Sequence, residues 1–176
     1  MHDNENVMRA LEYASQKHKG QKRIGGKDYI THPIAVCEMV KKQGYGEEYQ
    51  ITALFHDLLE DTNATEKEIL EYGNEEVLKA VKLLTKQDGF DMAEYVGGIK
   101  TNDVALKVKT ADRLHNLQSA HVASVEFKKR YIAETVEWYL NFSPEIKKAV
   151  KRLAESLDAP IPELLFIYEP IENWKI

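Results

Sequence analysis

The chain has 176 residues, of which 43% are hydrophobic and 30% charged, and its formal net charge is −5. This composition fits one globular domain with its own core and excludes a disordered or fibrous chain. The acidic balance argues against a protein that coats nucleic acid, and we expect no nucleic-acid partner. No apolar stretch is long enough for a bilayer and no leader is evident, so we expect no membrane contact and a cytoplasmic location.

The apolar residues recur with helical spacing along nearly the whole chain, and no segment shows the alternation of a strand. The sequence therefore predicts an all-α fold in a single domain over 1–158, followed by an extended tail at 159–176 that packs on that domain. The predicted helices cover, in chain order, about 5–18, 33–43, 47–60, 65–73, 74–84, 103–119 and 125–141, with a last one that begins at 143–144.

Several helix ends carry recognisable capping residues. Thr65 and Glu68 have the spacing of a capping box, Asp103 is predicted to cap the helix that follows it, and Ser143 precedes a proline at a first helical position. The segment 85–102 is less regular, and its glycines predict a mobile loop around a short helix. The sequence leaves open whether this loop orders on substrate binding.

The strongest local motif is the stretch 55–62, FHDLLEDT. On one continuous helix His56 and Glu60 would share one side, and Asp57 and Asp61 the adjacent side. The pattern would bury this imidazole and these three carboxylates, which is costly unless a divalent cation compensates their charge. Taken alone, the motif is equally consistent with a solvated acidic end of a helix.

Two other segments supply matching polar residues. Asp112 and Asn116 lie four residues apart on one face of a predicted helix, with apolar residues around them in the sequence. His32 lies at the start of another predicted helix, where the following Pro33 fixes its position. Together His32, His56, Asp57 and Asp112 form a set of two imidazoles and two carboxylates. This set suits Mn²⁺, Fe²⁺ or Zn²⁺ and leaves two positions open in an octahedral arrangement, as metal-assisted hydrolysis requires.

Four blocks carry a family resemblance, in the order 23–33 (RIGGKDYITHP), 53–62 (ALFHDLLEDT), 84–86 (LTK) and 108–117 (VKTADRLHNL). In them the chain resembles the HD superfamily. More closely, it resembles the hydrolase domain of RelA/SpoT-type (p)ppGpp synthetase/hydrolases and the small stand-alone alarmone hydrolases. The resemblance implies a helical HD fold and one metal ion, usually Mn²⁺, bound by His32, His56, Asp57 and Asp112.

The resemblance also implies roles for four further residues. Glu60 and Asp61 would position or activate the attacking water, Arg23 would line the nucleotide pocket, and Asn116 would lie near the ribose or a phosphate. The implied reaction is hydrolysis of the 3′-pyrophosphate of (p)ppGpp to GDP or GTP and pyrophosphate. Other basic residues that could offset phosphate charge, although most are expected to be solvated, are Lys19, Lys22, Lys86, Lys109 and Arg113.

One departure from the family keeps two other functions open. Ile24 stands where close relatives usually carry a basic residue near the purine ring, so the preference for guanine is not fixed. The alternatives are an HD phosphohydrolase for another nucleotide, such as a nucleoside monophosphate, and a non-catalytic nucleotide-binding regulatory module. The sequence leaves the choice between a monomer and a homodimer open.

Overall fold

The computed structural model describes residues 4–157, which form α-helices joined by short connections. Within this range there is no β-strand, and an isolated bridge between Lys22 and Asp28 is the nearest approach to one. The predicted all-α class is therefore confirmed. None of the helices in these residues is long and apolar enough to cross a membrane. The tail predicted over 159–176 lies outside the described residues.

Ten helices follow one another along the described chain. They are α1 (Glu5–Lys17), α2 (Thr31–Lys42), α3 (Glu47–Phe55), α4 (Leu58–Asp61), α5 (Glu66–Tyr72), α6 (Glu75–Leu84), α7 (Met92–Lys100), α8 (Asp103–Ser119), α9 (Val125–Glu134) and α10 (Pro144–Glu155). A π-helical segment, Thr135–Tyr139, and two short 3-10 segments, Ala120–Val122 and Leu140–Phe142, complete the set. The chain divides into two compact units, of which the first ends at Asp112 and the second begins at Arg113.

The first unit is built around α3, which packs against α1, α2 and α6. The last five residues of α3 are all buried, and Phe55 at its end has no exposed surface. Such a helix, enclosed by three others, follows from the continuous run of small and apolar residues at its C-terminal half. As a result, the segment that follows Phe55 begins inside the core, and its first residue, His56, is buried.

The helix predicted over 47–60 is interrupted at His56 and Asp57, so the prediction of one continuous helix was wrong. His56 Nδ1 donates to the carbonyl oxygen of Ala53 at 2.7 Å. In an unbroken helix that carbonyl would accept from the backbone N–H of Asp57. Asp57 instead has φ −105° and ψ −2°, which lies in the bridge region of the Ramachandran plot. Few residues adopt this conformation, and many of those that do lie at functional sites.

Most predicted helix ends agree with the structure. The capping box of Thr65 and Glu68 is present, and the Ser143 side chain accepts from the backbone N–H of Ile146. The cap predicted at Asp103 was wrong, because Asn102 Oδ1 accepts from the N–H of Ala105 and Asp103 is already helical. The helix predicted over 125–141 is regular only to the end of α9, after which it widens into the π-helical segment.

The second unit contains a buried arginine held by aromatic rings. The guanidinium carbon of Arg113 lies 4.3 Å from the ring centre of Tyr131 and 4.0 Å from that of Tyr139. Arg113 Nη2 also donates to Glu134 Oε1 at 2.5 Å. The π-helical segment supplies Tyr139, and α9 supplies Tyr131 and Glu134. The guanidinium group of Arg113 is thus held by partners within the second unit. This arrangement does not fit a role in binding phosphate.

Candidate metal centre

Four side chains from separate parts of the first unit point toward one place. His32 lies in the first turn of α2, His56 and Asp57 form the break after α3, and Asp112 lies on α8. His32 Nε2 is 3.0 Å from Asp112 Oδ1, and His56 Nε2 is 3.0 Å from Asp57 Oδ2. The two longer separations are 3.7 Å, from His56 Nε2 to Asp112 Oδ1, and 4.0 Å, from His32 Nε2 to Asp57 Oδ2.

The two shorter separations match those of neighbouring ligands around one ion. Two ligand atoms about 2.1 Å from a metal are about 3.0 Å apart at a right angle and about 3.4 Å apart at a tetrahedral angle. The atoms of His32, His56 and Asp57 all lie within 4.8 Å of one another. In addition, the buried His56 Nε2 makes no hydrogen bond, which is costly for a polar atom in the core. The donor set therefore fits a divalent cation.

Outer partners fix the direction of two candidate ligands. Because a carbonyl oxygen can only accept, its contact with His56 Nδ1 places a ring proton there and turns Nε2 toward the cluster. Lys109 Nζ lies 2.9 Å from Asp112 Oδ2, which leaves Oδ1 facing the imidazoles. Such second contacts hold the ligand side chains in place before an ion arrives.

The protonation of the metal-free cluster follows from burial and from these neighbours. Burial alone would lower the pKa of His56, but Asp57 and Asp112 raise it to about 10. Burial lowers the pKa of His32 despite its contact with Asp112. Although burial raises the pKa of carboxyl groups, His56 lowers that of Asp57 to about 2, and Lys109 keeps that of Asp112 well below its usual range. The cluster thus holds two carboxylates and one cationic imidazole.

A family model described as an HD domain matches residues 10–105 of the chain. The chain belongs to the HD-domain family. Membership implies a divalent metal ion, and the His/Asp cluster that would hold it is present. The matched range contains His32, His56 and Asp57, whereas Asp112 lies seven residues beyond its end.

Curated relatives of this HD domain carry two kinds of name. Proteins named guanosine-3′,5′-bis(diphosphate) 3′-pyrophosphohydrolase are 34% identical over 143 residues in Aquifex aeolicus (77% of this chain, 20% of that protein) and 32% identical over 167 residues in Spiroplasma citri (88% and 22%). A protein of Brucella melitensis named GTP pyrophosphokinase rsh is 31% identical over 178 residues (95% and 23%). The chain spans about a fifth of the length of these relatives.

A solved structure has the same fold as this HD domain. It belongs to a metazoan ortholog of SpoT that is described as hydrolysing ppGpp and playing a role in starvation responses. The TM-score is 0.73 at 20% sequence identity, and the match covers 88% of this chain and 97% of the other. The helical HD fold expected from the sequence is therefore confirmed.

The two acidic residues expected beside the metal lie on α4 of the HD domain, and both are exposed. Glu60 Oε2 accepts from the backbone N–H of Lys86 at 2.9 Å, which ties α4 to the segment after α6. Asp61 Oδ2 lies 3.4 Å from the hydroxyl of Tyr29, whose proton goes to Asp57 Oδ2 at 2.5 Å. Burial and the charges of Asp57 and Glu60 raise the pKa of Asp61.

The two residues expected to bind substrate lie in different units. Arg23 is partly buried in a turn in which its N–H donates to Lys27 O and its own carbonyl accepts from Gly26, each at 2.9 Å. Gly26 has a φ of 88°, a left-handed conformation that glycine adopts without strain. Asn116 is partly buried on α8, in the second unit, one helical turn beyond Asp112.

Sequence reasoning missed the functional contacts of Tyr29 and underrated Lys109. Lys109 precedes Asp112 by three positions on a helix, a spacing at which oppositely charged side chains meet, so the sequence did contain a signal for it. For Tyr29 there was no such signal. It lies 28 residues from Asp57, and only the folded structure brings its hydroxyl to that carboxylate.

Proposed function

We propose that this HD domain is a metal-dependent phosphohydrolase that removes the 3′-pyrophosphate of guanosine 3′,5′-bis(diphosphate). One water molecule is consumed, and the products are GDP and pyrophosphate, or GTP and pyrophosphate from the pentaphosphate. The observation that carries the proposal is the convergence of two imidazoles and two carboxylates on a buried His56 Nε2 that makes no hydrogen bond. The names of the relatives support this choice of substrate.

His32, His56, Asp57 and Asp112 are proposed to hold the ion. Mixed nitrogen and carboxylate ligands suit Mn²⁺, our first choice, and Fe²⁺ or Zn²⁺ are the alternatives. When bound, such an ion withdraws charge from a phosphoryl oxygen and makes a water molecule more acidic. The protein contributes a largely buried ligand set in which Ala53 and Lys109 already orient His56 and Asp112.

The remaining steps fall to side chains at the edge of the cluster. We propose that Asp61 orients the attacking water and accepts its proton, because its raised pKa brings it closer to neutral pH. Glu60 assists in this role while it holds the segment that begins at Lys86. Arg23 would offset the charge of the phosphates, and Asn116 would bind the ribose or a phosphate.

One observation favours a second candidate, an HD phosphohydrolase for another nucleotide. Ile24, next to Arg23, is an apolar side chain that is 58% exposed. It offers neither charge nor a hydrogen bond to a guanine ring or a phosphate. A third candidate is a non-catalytic nucleotide-binding module. In such a module the four proposed metal ligands would serve only to bind a nucleotide, without hydrolysis.

A single assay separates these candidates. The purified chain is incubated with Mn²⁺ and a panel of ppGpp, pppGpp, deoxynucleoside monophosphates and cyclic nucleotides, and the released phosphate species are identified. Pyrophosphate released from ppGpp or pppGpp alone supports the proposal. Orthophosphate from a monophosphate supports the second candidate. No product from any member of the panel, with bound metal demonstrated, supports the third.

A further inference from the structure

The hydroxyl of Tyr29 lies between the metal cluster and the exposed acidic pair. Its oxygen is 2.5 Å from Asp57 Oδ2 and 3.4 Å from Asp61 Oδ2. A phenol has one proton to donate, and the shorter contact shows that Asp57 receives it. Tyr29 is therefore joined to a proposed metal ligand and lies beside the proposed water-positioning carboxylate.

The oxygen that Tyr29 contacts is the one that faces the imidazoles. Asp57 Oδ2 lies 3.0 Å from His56 Nε2, so the same atom meets both the hydroxyl and the cluster. Asp57 also lies in the break between two helices, and its carboxylate makes no capping hydrogen bond to the start of α4. A hydrogen bond from outside the cluster fixes the torsion of that carboxylate, as partners of metal ligands commonly do.

The backbone and neighbours of Tyr29 hold it in place. Its N–H donates to Gln21 O and its carbonyl accepts from the N–H of His32, each at 2.9 Å. The ring centre lies 4.8 Å from that of His18. Gln21 Nε2 donates to the backbone carbonyl of Asp61 at 2.8 Å, and its Oε1 contacts His18 Nδ1 at 2.7 Å. Gln21 thus bonds to the backbones of both Tyr29 and Asp61 and holds the two residues in place.

We propose that Tyr29 is a positioning residue of the metal centre. Its hydroxyl holds the Asp57 carboxylate in the orientation that binds the ion and keeps Asp57 and Asp61 at a fixed separation. This inference rests on the proposed metal site, and it assigns a role there to a residue outside the proposed ligand set.

The test compares Tyr29→Phe with Tyr49→Phe as a matched control. Tyr49 OH donates to Asp103 Oδ2 at 2.6 Å, an equivalent bond between a tyrosine and an aspartate elsewhere in the first unit. Titration calorimetry of the full chain with Mn²⁺ alone measures the dissociation constant. We expect Tyr29→Phe to raise it roughly 10- to 100-fold, the usual cost of losing such a partner, and Tyr49→Phe to leave it unchanged.

A second readout separates positioning from a general effect on the fold. The visible absorption spectrum of bound Co²⁺ reports the geometry of its ligands, and we expect it to change in Tyr29→Phe and not in Tyr49→Phe. Thermal unfolding of the metal-free variants should be similar. Equal Mn²⁺ affinity in the wild type and Tyr29→Phe, or weaker binding with an unchanged spectrum and a large loss of stability, would overturn the inference alone. A wild-type chain that binds no Mn²⁺ would overturn the proposed function as well.

Discussion

Lys109 and Asp112 form an ion pair of 2.9 Å in which the lysine takes one carboxylate oxygen and leaves the other to the imidazoles. The Asp112 side chain is only 7% exposed, so its charge depends on neighbours rather than on water. In the absence of a metal ion, this pair keeps Asp112 ionised and its Oδ1 atom directed at the imidazoles.

We expect Asp112→Ala to lose the metal. The substitution removes one of the four proposed ligands and also removes the negative charge that Asp112 sets against Lys109, so that the ammonium group repels a divalent ion more strongly. The dissociation constant for Mn²⁺ should rise by at least about 100-fold, measured as metal content after dialysis and by titration calorimetry. Asp103→Ala, on the same helix but exposed, is the control and should retain full metal content. An Asp112→Ala protein with full metal content would show that the proposed ligand set is wrong.

Metal binding should release protons and strengthen as the pH rises. The pKa of His56 is raised to about 10 in the metal-free protein, whereas that of His32 is lowered. At pH 7 the cluster therefore carries about one proton that the ion must displace. Mn²⁺ affinity should increase with pH from 7 until His56 deprotonates near pH 10. Calorimetry in buffers of different ionisation enthalpy counts the released protons, and a value near zero at pH 7 would contradict this protonation state.

Substitution of the exposed acidic pair should separate catalysis from metal binding. Glu60→Gln keeps an oxygen that can accept from the N–H of Lys86, and Asp61→Asn keeps the shape of the side chain. We expect both variants to bind Mn²⁺ like the wild type, because neither residue is among the four proposed ligands. For Asp61→Asn, kcat on ppGpp should fall by about 100- to 10,000-fold, the usual contribution of a general base. Unchanged kcat in both variants would show that the proton goes elsewhere.

Arg113→Met should destabilise the protein. The change removes two contacts with aromatic rings and leaves the carboxylate of Glu134 without its guanidinium partner. Because the Glu134 side chain is 39% exposed, most of the cost is that of the ring contacts. We expect a loss of about 2 kcal/mol in the free energy of unfolding, measured by urea denaturation of the metal-free protein. Arg130→Met, an exposed neighbour on α9, should cost far less. A loss below about 1 kcal/mol for Arg113→Met would mean that the rings and Glu134 contribute little.

The sequence predicted the helices well because their caps are local signals. Thr65 with Glu68, and Ser143 before a proline, act within one turn and need no tertiary information. The break after α3 could not be predicted, since it depends on His56 bonding to a carbonyl three residues back instead of facing solvent. The wrong cap at Asp103 arose because the adjacent Asn102 is an equally good N-cap residue.

The candidate ligands were predictable as residue types, and the contacts that orient them were only partly so. Two histidines and two aspartates at apolar positions indicated a metal site, and the chain folds them to within 3.0–4.0 Å of a neighbouring ligand. The i, i+3 spacing marked Lys109, but nothing local marked Tyr29. A hydroxyl gains its role from the atoms that the fold brings near it, and sequence spacing carries no such information.

His56 has only one chemically available nitrogen. The Nδ1 proton is committed to Ala53 O inside the core, so the ring cannot pick up a proton on one side and pass it on from the other. If an ion occupies Nε2, as proposed, His56 has no capacity to relay protons. Under the proposed function the largely buried cluster would therefore bind the ion, and proton exchange with solvent would fall to the exposed Glu60 and Asp61.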